Sequence, residues 1–222
     1  MRKYVLSILF LGITFVYAQN NYLFFGARSG INTSIMWKEI TPEGFTIVGT
    51  HFGYHIGPTI HFEPKHFFGI NSGLLFNTTG WVNETDNLAD TLLYRKDVFK
   101  NIQLPLTTSI KIGIGEFGRI IIETGGYLNF TMSGYSNMKE VGGEIYEEAV
   151  TWYRFDESDG INDIAYKRTN AGLIFGCAFQ HKFITAGTCY NLGLIDITKN
   201  EYVMHNHTWN FYVIFRTWKR KT

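Results

Sequence analysis

The sequence predicts an all-β fold: a single eight-stranded antiparallel transmembrane β-barrel that follows an N-terminal signal peptide. Three observations carry this prediction. Eight separate segments alternate apolar and non-apolar residues with a period of two. The connections between them alternate strictly between short and long. The non-apolar faces carry charges that the core of a water-soluble barrel would not accept.

Composition and the first residues set the class. The 222 residues are 17% aromatic, with 23 Gly and only 4 Pro, which suits strands and tight turns better than helices. Arg2 and Lys3 form a basic start, Tyr4 to Val16 an apolar stretch, and Val16-Tyr17-Ala18 a cleavage site before Gln19. Residues 1–18 therefore read as a secretory signal peptide and 19–222 as the barrel domain. The net charge of +1 falls to −1 when Arg2 and Lys3 are removed, which leaves no electrostatic footprint for nucleic acid. After residue 18 no stretch of ~20 apolar residues remains to form a membrane helix.

The clearest strand is Phe52 to Phe62, with Phe52, Tyr54, Ile56, Pro58, Ile60 and Phe62 on one face and His51, His55, Thr59 and His61 on the other. Ile102 to Ile112 repeats it, setting Ile102, Leu104, Leu106, Thr108, Ile110 and Ile112 against Asn101, Gln103, Pro105, Thr107, Ser109 and Lys111. The last strand opposes Trp209, Phe211, Val213 and Phe215 to Asn210, Tyr212, Ile214 and Arg216. Ile120 to Phe130, Tyr22 to Asn32, Phe67 to Asn77, Arg168 to Phe179 and Phe183 to Leu194 complete the eight.

The short connections are Glu63 to His66, Gly113 to Gly118 and Gln180 to Lys182. The long ones are 33–50, 78–98, 133–163 and 195–207. Outer-membrane barrels pair short periplasmic turns with long outer loops, and an even strand number puts both termini in the periplasm. Arg28, His55, His61, Gln103, Lys111, Glu123, Arg168 and Arg216 would then line a side-chain-filled interior, and the apolar faces would meet lipid. Trp81, Trp209 and Trp218 fall near strand ends, where aromatic girdles belong. Pro58 and Pro105 sit inside strands, so a bulge or a lost ladder bond is expected at each.

This arrangement resembles the PorT-like, porin-family outer-membrane β-barrel proteins of the Bacteroidetes (outer membrane protein beta-barrel domain). Phe25-Gly26-Ala27-Arg28-Ser29-Gly30-Ile31-Asn32 resembles that family's first strand, and Gly53-Tyr54-His55-Ile56-Gly57 its second. Asn101-Ile102-Gln103-Leu104-Pro105-Leu106, Glu123-Thr124-Gly125-Gly126-Tyr127 and Tyr190-Asn191-Leu192-Gly193-Leu194 follow in the family's order. The resemblance implies an eight-stranded barrel, one branch of which assists type IX secretion. No residue places this chain in that branch.

Several patterns invite a chemical reading. Gly113-Ile114-Gly115-Glu116-Phe117-Gly118 is a literal G-x-G-x-x-G, but a dinucleotide site needs a helix next, and Arg119-Ile120-Ile121-Ile122 reads as strand. His51, His55 and His61 share a face, yet four strand residues span ~13 Å, too far for His51 and His55 to share a metal. His205 and His207 are close enough but lack a third ligand. Loop 133–163 sets eight carboxylates against Lys139 and Arg154, and its Asp156-Glu157-Ser158-Asp159-Gly160 only loosely resembles a calcium loop. Asp90-Thr91-Leu92 matches a short O-glycosylation pattern of these bacteria. Cys177 and Cys189 face opposite sides and lie about six residues out of register across a hairpin centred near Gln180–His181, so no disulfide is expected.

Neither G-x-S-x-G nor H-E-x-x-H is present, and no Ser/His/acid set can be assembled. The expectation is therefore an integral outer-membrane barrel without catalytic residues, metal or cofactor, acting as scaffold or surface-interaction protein. Its expected partners are outer-membrane lipids, the machinery that inserts barrels, and surface or secretion-apparatus proteins met through loops 78–98 and 133–163. The competing expectations are an accessory barrel of a type IX secretion apparatus and an outer-membrane lipid-modifying enzyme. A diffusion pore is disfavoured because eight strands leave a filled interior.

Overall fold

The structure, a computed structural model, describes residues 22–40, 44–47, 49–84, 92–140, 145–149, 166–198 and 203–221. Its strands are β1 (Tyr22–Ile40), β2 (Gly44–Ile47), β3 (Gly49–Lys65), β4 (Phe68–Gly73), β5 (Leu75–Glu84), β6 (Leu92–Gly113), β7 (Arg119–Glu140), β8 (Ile145–Ala149), β9 (Thr169–His181), β10 (Ile184–Gly193) and β11 (Val203–Lys221). β4 and β5 are one barrel strand in two pieces, so eight staves run in the order β1, β3, β4/β5, β6, β7, β9, β10, β11. β1 closes the ring by pairing with both neighbours, Gly30 standing opposite Tyr212 on β11 and His55 on β3. Every pairing is antiparallel. β2 folds back on β1, and β8 on β7.

The expected facings hold along the eight staves, Arg168 and Trp81 excepted. Phe52, Leu106 and Leu128 are 75%, 61% and 63% exposed, while His55, Lys111 and Glu123 on the same staves are buried. On β6 the outward positions from Ile102 to Ile112, apolar but for Thr108, span ten residues' rise, which at the usual strand tilt gives a band about 25 Å tall. Gly30 shows why so small an interior needs glycine on its inner face: a Cβ there would lie 2.0 Å from the Phe211 carbonyl oxygen and 2.7 Å from the His55 ring.

The two prolines act together. Pro58 on β3 and Pro105 on β6 flank the same stave from opposite sides, and that stave breaks between them, at Leu74. The Leu74 amide donates to the Pro58 carbonyl at 3.0 Å, but Pro58 has no N–H to return the bond. Ser72 Oγ donates to the Pro105 carbonyl at 2.9 Å. There is no bulge, since Thr59↔Gly73 and Ile56↔Phe76 keep one register across the break. Of the two expected outcomes, the lost ladder bond is the one found.

The connections differ from expectation in length. Three short turns lie at the end of the barrel that carries Tyr22 and Lys221, but strands fill much of what read as long loops. β6 and β7 reach 22 residues each, roughly 75 Å of extended chain against the ~10 residues that cross a bilayer. The barrel therefore stands far clear of the membrane at the end opposite the three short turns. β9 and β10, with 13 and 10 residues, stop near the top of the apolar band and leave a notch in the wall there.

The hairpin of β9 and β10 also corrects a register. Ile184 pairs with His181, so the turn centres between Lys182 and Phe183, two residues beyond the expected position. Cys177 lies opposite Thr188, and Cys189 opposite Gly176, only one step apart rather than six. The facing argument stands: Cys177 is exposed, Cys189 is buried, and both are free.

Candidate functional site

The interior is a stack of polar layers that closes the lumen. Nearest the short turns, the Glu63 carboxylate meets the Lys111 ammonium, the Arg216 guanidinium at 2.7 Å and Arg119 at 3.7 Å. Glu63, Lys111 and Arg216 are all buried. Above them His61 bonds Asn71 at 2.9 Å and Thr59 at 3.0 Å. In the middle layer the Arg28 guanidinium lies 3.8 Å from the centre of the Tyr212 ring and donates to His55 Nε2 and Cys189 Sγ. Tyr212 in turn donates to Glu123 at 2.8 Å. Asn77, Gln103, Thr79, Asn101 and Thr131 link the next layer through bonds of 2.7–2.9 Å.

Beyond the membrane band the interior changes character. Met36, Trp81, Phe99, Tyr166, Ile197 and Met204 form an apolar plug inside the extended staves. Asp97 is fully buried among them and accepts from the Ser136 hydroxyl, from Tyr166 at 2.5 Å and from Arg95 Nε at 3.2 Å. Trp81 Nε1 donates to the Tyr166 oxygen at 3.2 Å. Tyr166 comes from the chain between β8 and β9 and bridges Thr198, so it pins two connections over the lumen at once. Tyr166→Phe removes a buried hydroxyl that serves both Asp97 and Trp81, and is expected to lower unfolding free energy by about 1–3 kcal/mol in denaturant titrations.

Asp196 secures the neighbouring connection. It accepts from the Met204 amide at 2.9 Å, the Thr198 amide at 3.0 Å, the Thr198 hydroxyl at 2.9 Å and Lys167 Nζ at 2.9 Å. Partial burial pushes its carboxyl up, and these donors, the Met204 and Thr198 amides first, outweigh burial and hold it below its ordinary value. A carboxyl depressed in the folded state contributes stability above its unfolded pKa and loses it as pH falls through the folded one. Hydrogen exchange at the Thr198 and Met204 amides, corrected for intrinsic rate, is expected to be slow at neutral pH and faster in acid. In Asp196→Asn that pH dependence is expected to vanish.

The residues singled out in the sequence disperse. Residues 113–118 make a tight turn, with Gly115 and Gly118 at φ +58° and +136°, and β7 follows in place of a helix. His51, His55 and His61 point inward, each in a different layer. His207 is bonded to the Tyr190 hydroxyl at 3.0 Å. Among the described residues no group of three or more His, Cys, Asp or Glu could hold a metal ion. Asp90, Thr91 and Asp156 to Gly160 lie outside the described residues, as do residues 1–18.

Three placements correct the sequence reading. Trp81 is no girdle residue, because it points inward and is 4% exposed. Arg168 is exposed beside the wall and donates to the Met132 carbonyl at 2.8 Å and the Thr131 carbonyl at 3.3 Å. Glu63 belongs to β3 and anchors the charge layer, where a turn residue was expected. Its signal was present: the period that turns His61 inward turns Glu63 inward too. Trp209 faces outward as expected, its ring 5.0 Å from that of Tyr190.

Residues 17–199 match the family model described as outer membrane protein beta-barrel domain. Solved structures similar to this chain include Ail of Yersinia pestis, with 12% identity, coverage of 90% of this chain and 99% of that one, and a TM-score of 0.41. OprG of Pseudomonas aeruginosa gives 10% identity, coverage of 90% and 97%, and a TM-score of 0.42. Neisserial surface protein A gives 9% identity, coverage of 87% and 97%, and a TM-score of 0.41. No curated protein matches the chain.

Proposed function

We propose, from the premise that the chain belongs to the outer membrane protein beta-barrel domain family, that this outer-membrane barrel is a non-enzymatic surface-interaction protein. The plug of Met36, Trp81, Phe99, Tyr166, Ile197 and Met204 above Asp97 carries this reading. A lumen filled by polar layers and capped by apolar side chains offers no route for a solute. What is left for function is the tall rim built by β1–β2, β5–β6 and β7–β8.

In this reading residues 1–18 are a signal peptide. The end with the three short turns is periplasmic, with both termini, and the rim faces outward. The motif order along β1, β3, β6, β7 and β10 supports a place among the PorT-like barrels of the Bacteroidetes. Partners are met through the rim, chiefly residues 133–163 and 78–98. The test is cross-linking on intact cells, with the wild type compared to a variant in which residues 141–165 are exchanged for a short Gly/Ser linker. Partners should be lost from the variant while it still folds as a barrel. Identical partners in both would refute the role of the rim.

A further inference from the structure

We propose that the outer wall carries a specific site for one acyl chain and phosphate headgroup of a membrane lipid. The site lies where β6, β7 and β9 meet, at the edge of the apolar band farthest from the three short turns. A groove of about 270 Å³ runs there, lined by Ile102, Leu104, Leu128, Phe130, Ala171 and Ile195. Leu104, Leu128, Phe130 and Ile195 are each more than 40% exposed. These side chains belong to the lipid-facing band, so the medium that fills the groove is hydrocarbon. The groove exists because β9 ends at Thr169 while β6 and β7 continue, and because Ile195 hangs over the notch that this leaves.

Two cations stand at its mouth. Lys100 is the outward residue next above Ile102 on β6, and its ammonium lies 5.9 Å from the centre of the Tyr135 ring. Lys100 pairs with Ser133 on β7, and Arg168 donates to the carbonyl of Met132, the next residue along. Lys100 and Arg168 thus flank one short stretch of β7, at the level where an acyl chain seated in the groove meets its headgroup. Opposite charge at the boundary of an apolar groove is the complement of a phosphate-bearing lipid. The inference rests on the barrel being embedded in the membrane, and with the rim outward the lipid is one of the outer leaflet.

The test is native mass spectrometry of the detergent-purified full chain, titrated with two probes of equal chain length: didodecyl phosphatidic acid and didodecyl glycerol. Lys100→Gln with Arg168→Gln is expected to weaken binding of phosphatidic acid about thirtyfold, roughly fivefold per cation, and to leave the neutral probe unchanged. Ala171→Phe, which fills the groove, should weaken both probes. Arg168→Lys keeps the charge and should keep phosphatidic acid, which separates the cation from the hydrogen bonds that Arg168 makes to β7. Phosphatidic acid bound as tightly by the double glutamine variant or by Ala171→Phe as by the wild type would overturn the site. A gel-shift check on each variant keeps that outcome apart from loss of the barrel, and neither result bears on partners of the rim.

Discussion

Replacing Glu63 with glutamine is expected to lower the unfolding free energy of the barrel by about 3–5 kcal/mol. Lys111 and Arg216 are both buried, and Glu63 is the carboxylate they share. Glutamine keeps the shape and some hydrogen bonding but strips the countercharge from two desolvated cations. Arg119, which is 36% exposed, can turn to water and contributes little to the loss. Urea unfolding in lipid vesicles would read the effect. Adding Lys111→Met to Glu63→Gln is expected to recover part of it, because one of the two orphaned charges is then gone. A cost near zero for Glu63→Gln would mean that this layer is hydrated and not a packed part of the interior.

Leu106→Arg is expected to cost about 2–4 kcal/mol, the toll for a cation on the lipid face at mid-bilayer. Leu106 is 61% exposed and sits near the middle of the outward run of β6, between Leu104 and Thr108. Phe117→Arg, at a 79% exposed position in the short turn, is expected to cost no more than about 1 kcal/mol. The contrast is the point of the pair. A cost near zero for Leu106→Arg would mean that this face of β6 meets water and not lipid.

Inside the membrane band the architecture was legible because one rule governs it. Apolar residues face out and polar residues face in: β3 follows this throughout residues 51–61, while β6 departs from it only at inward Pro105 and outward Thr108 within 102–112, and β11 only at inward Tyr212 and Ile214 within 209–216. Above the band the rule inverts. Met36, Trp81, Phe99 and Met204 point in, while Lys96, Lys100, Asn137 and Lys139 point to solvent. A reading tuned to lipid-facing alternation loses its signal there, and strands become loops. Trp81 was assigned to a girdle for the same reason. The plug was harder still to see, since Tyr166 and Ile197 reach it from connections whose sequences carry no period at all.

Glu63 and the β9–β10 turn were missed through boundaries. Composition starts these turns early, by three residues after β3 and two after β9, and a shift of that size hides a lumen charge or moves a cysteine pair. The interior layers themselves were only half visible. Period two could assign Arg28, Tyr212 and Glu123 to the same face, but their contact depends on the stagger of β1, β11 and β7 around a closed ring.

The most direct test of the central claim, a closed barrel in the outer membrane, is heat modifiability. Isolated outer membranes carrying the chain are run on a gel boiled and unboiled. A faster-migrating unboiled band in the membrane fraction is the predicted result. A soluble periplasmic protein without a shift would contradict it, and would mean that the apolar faces of the staves are turned to a core and not to lipid.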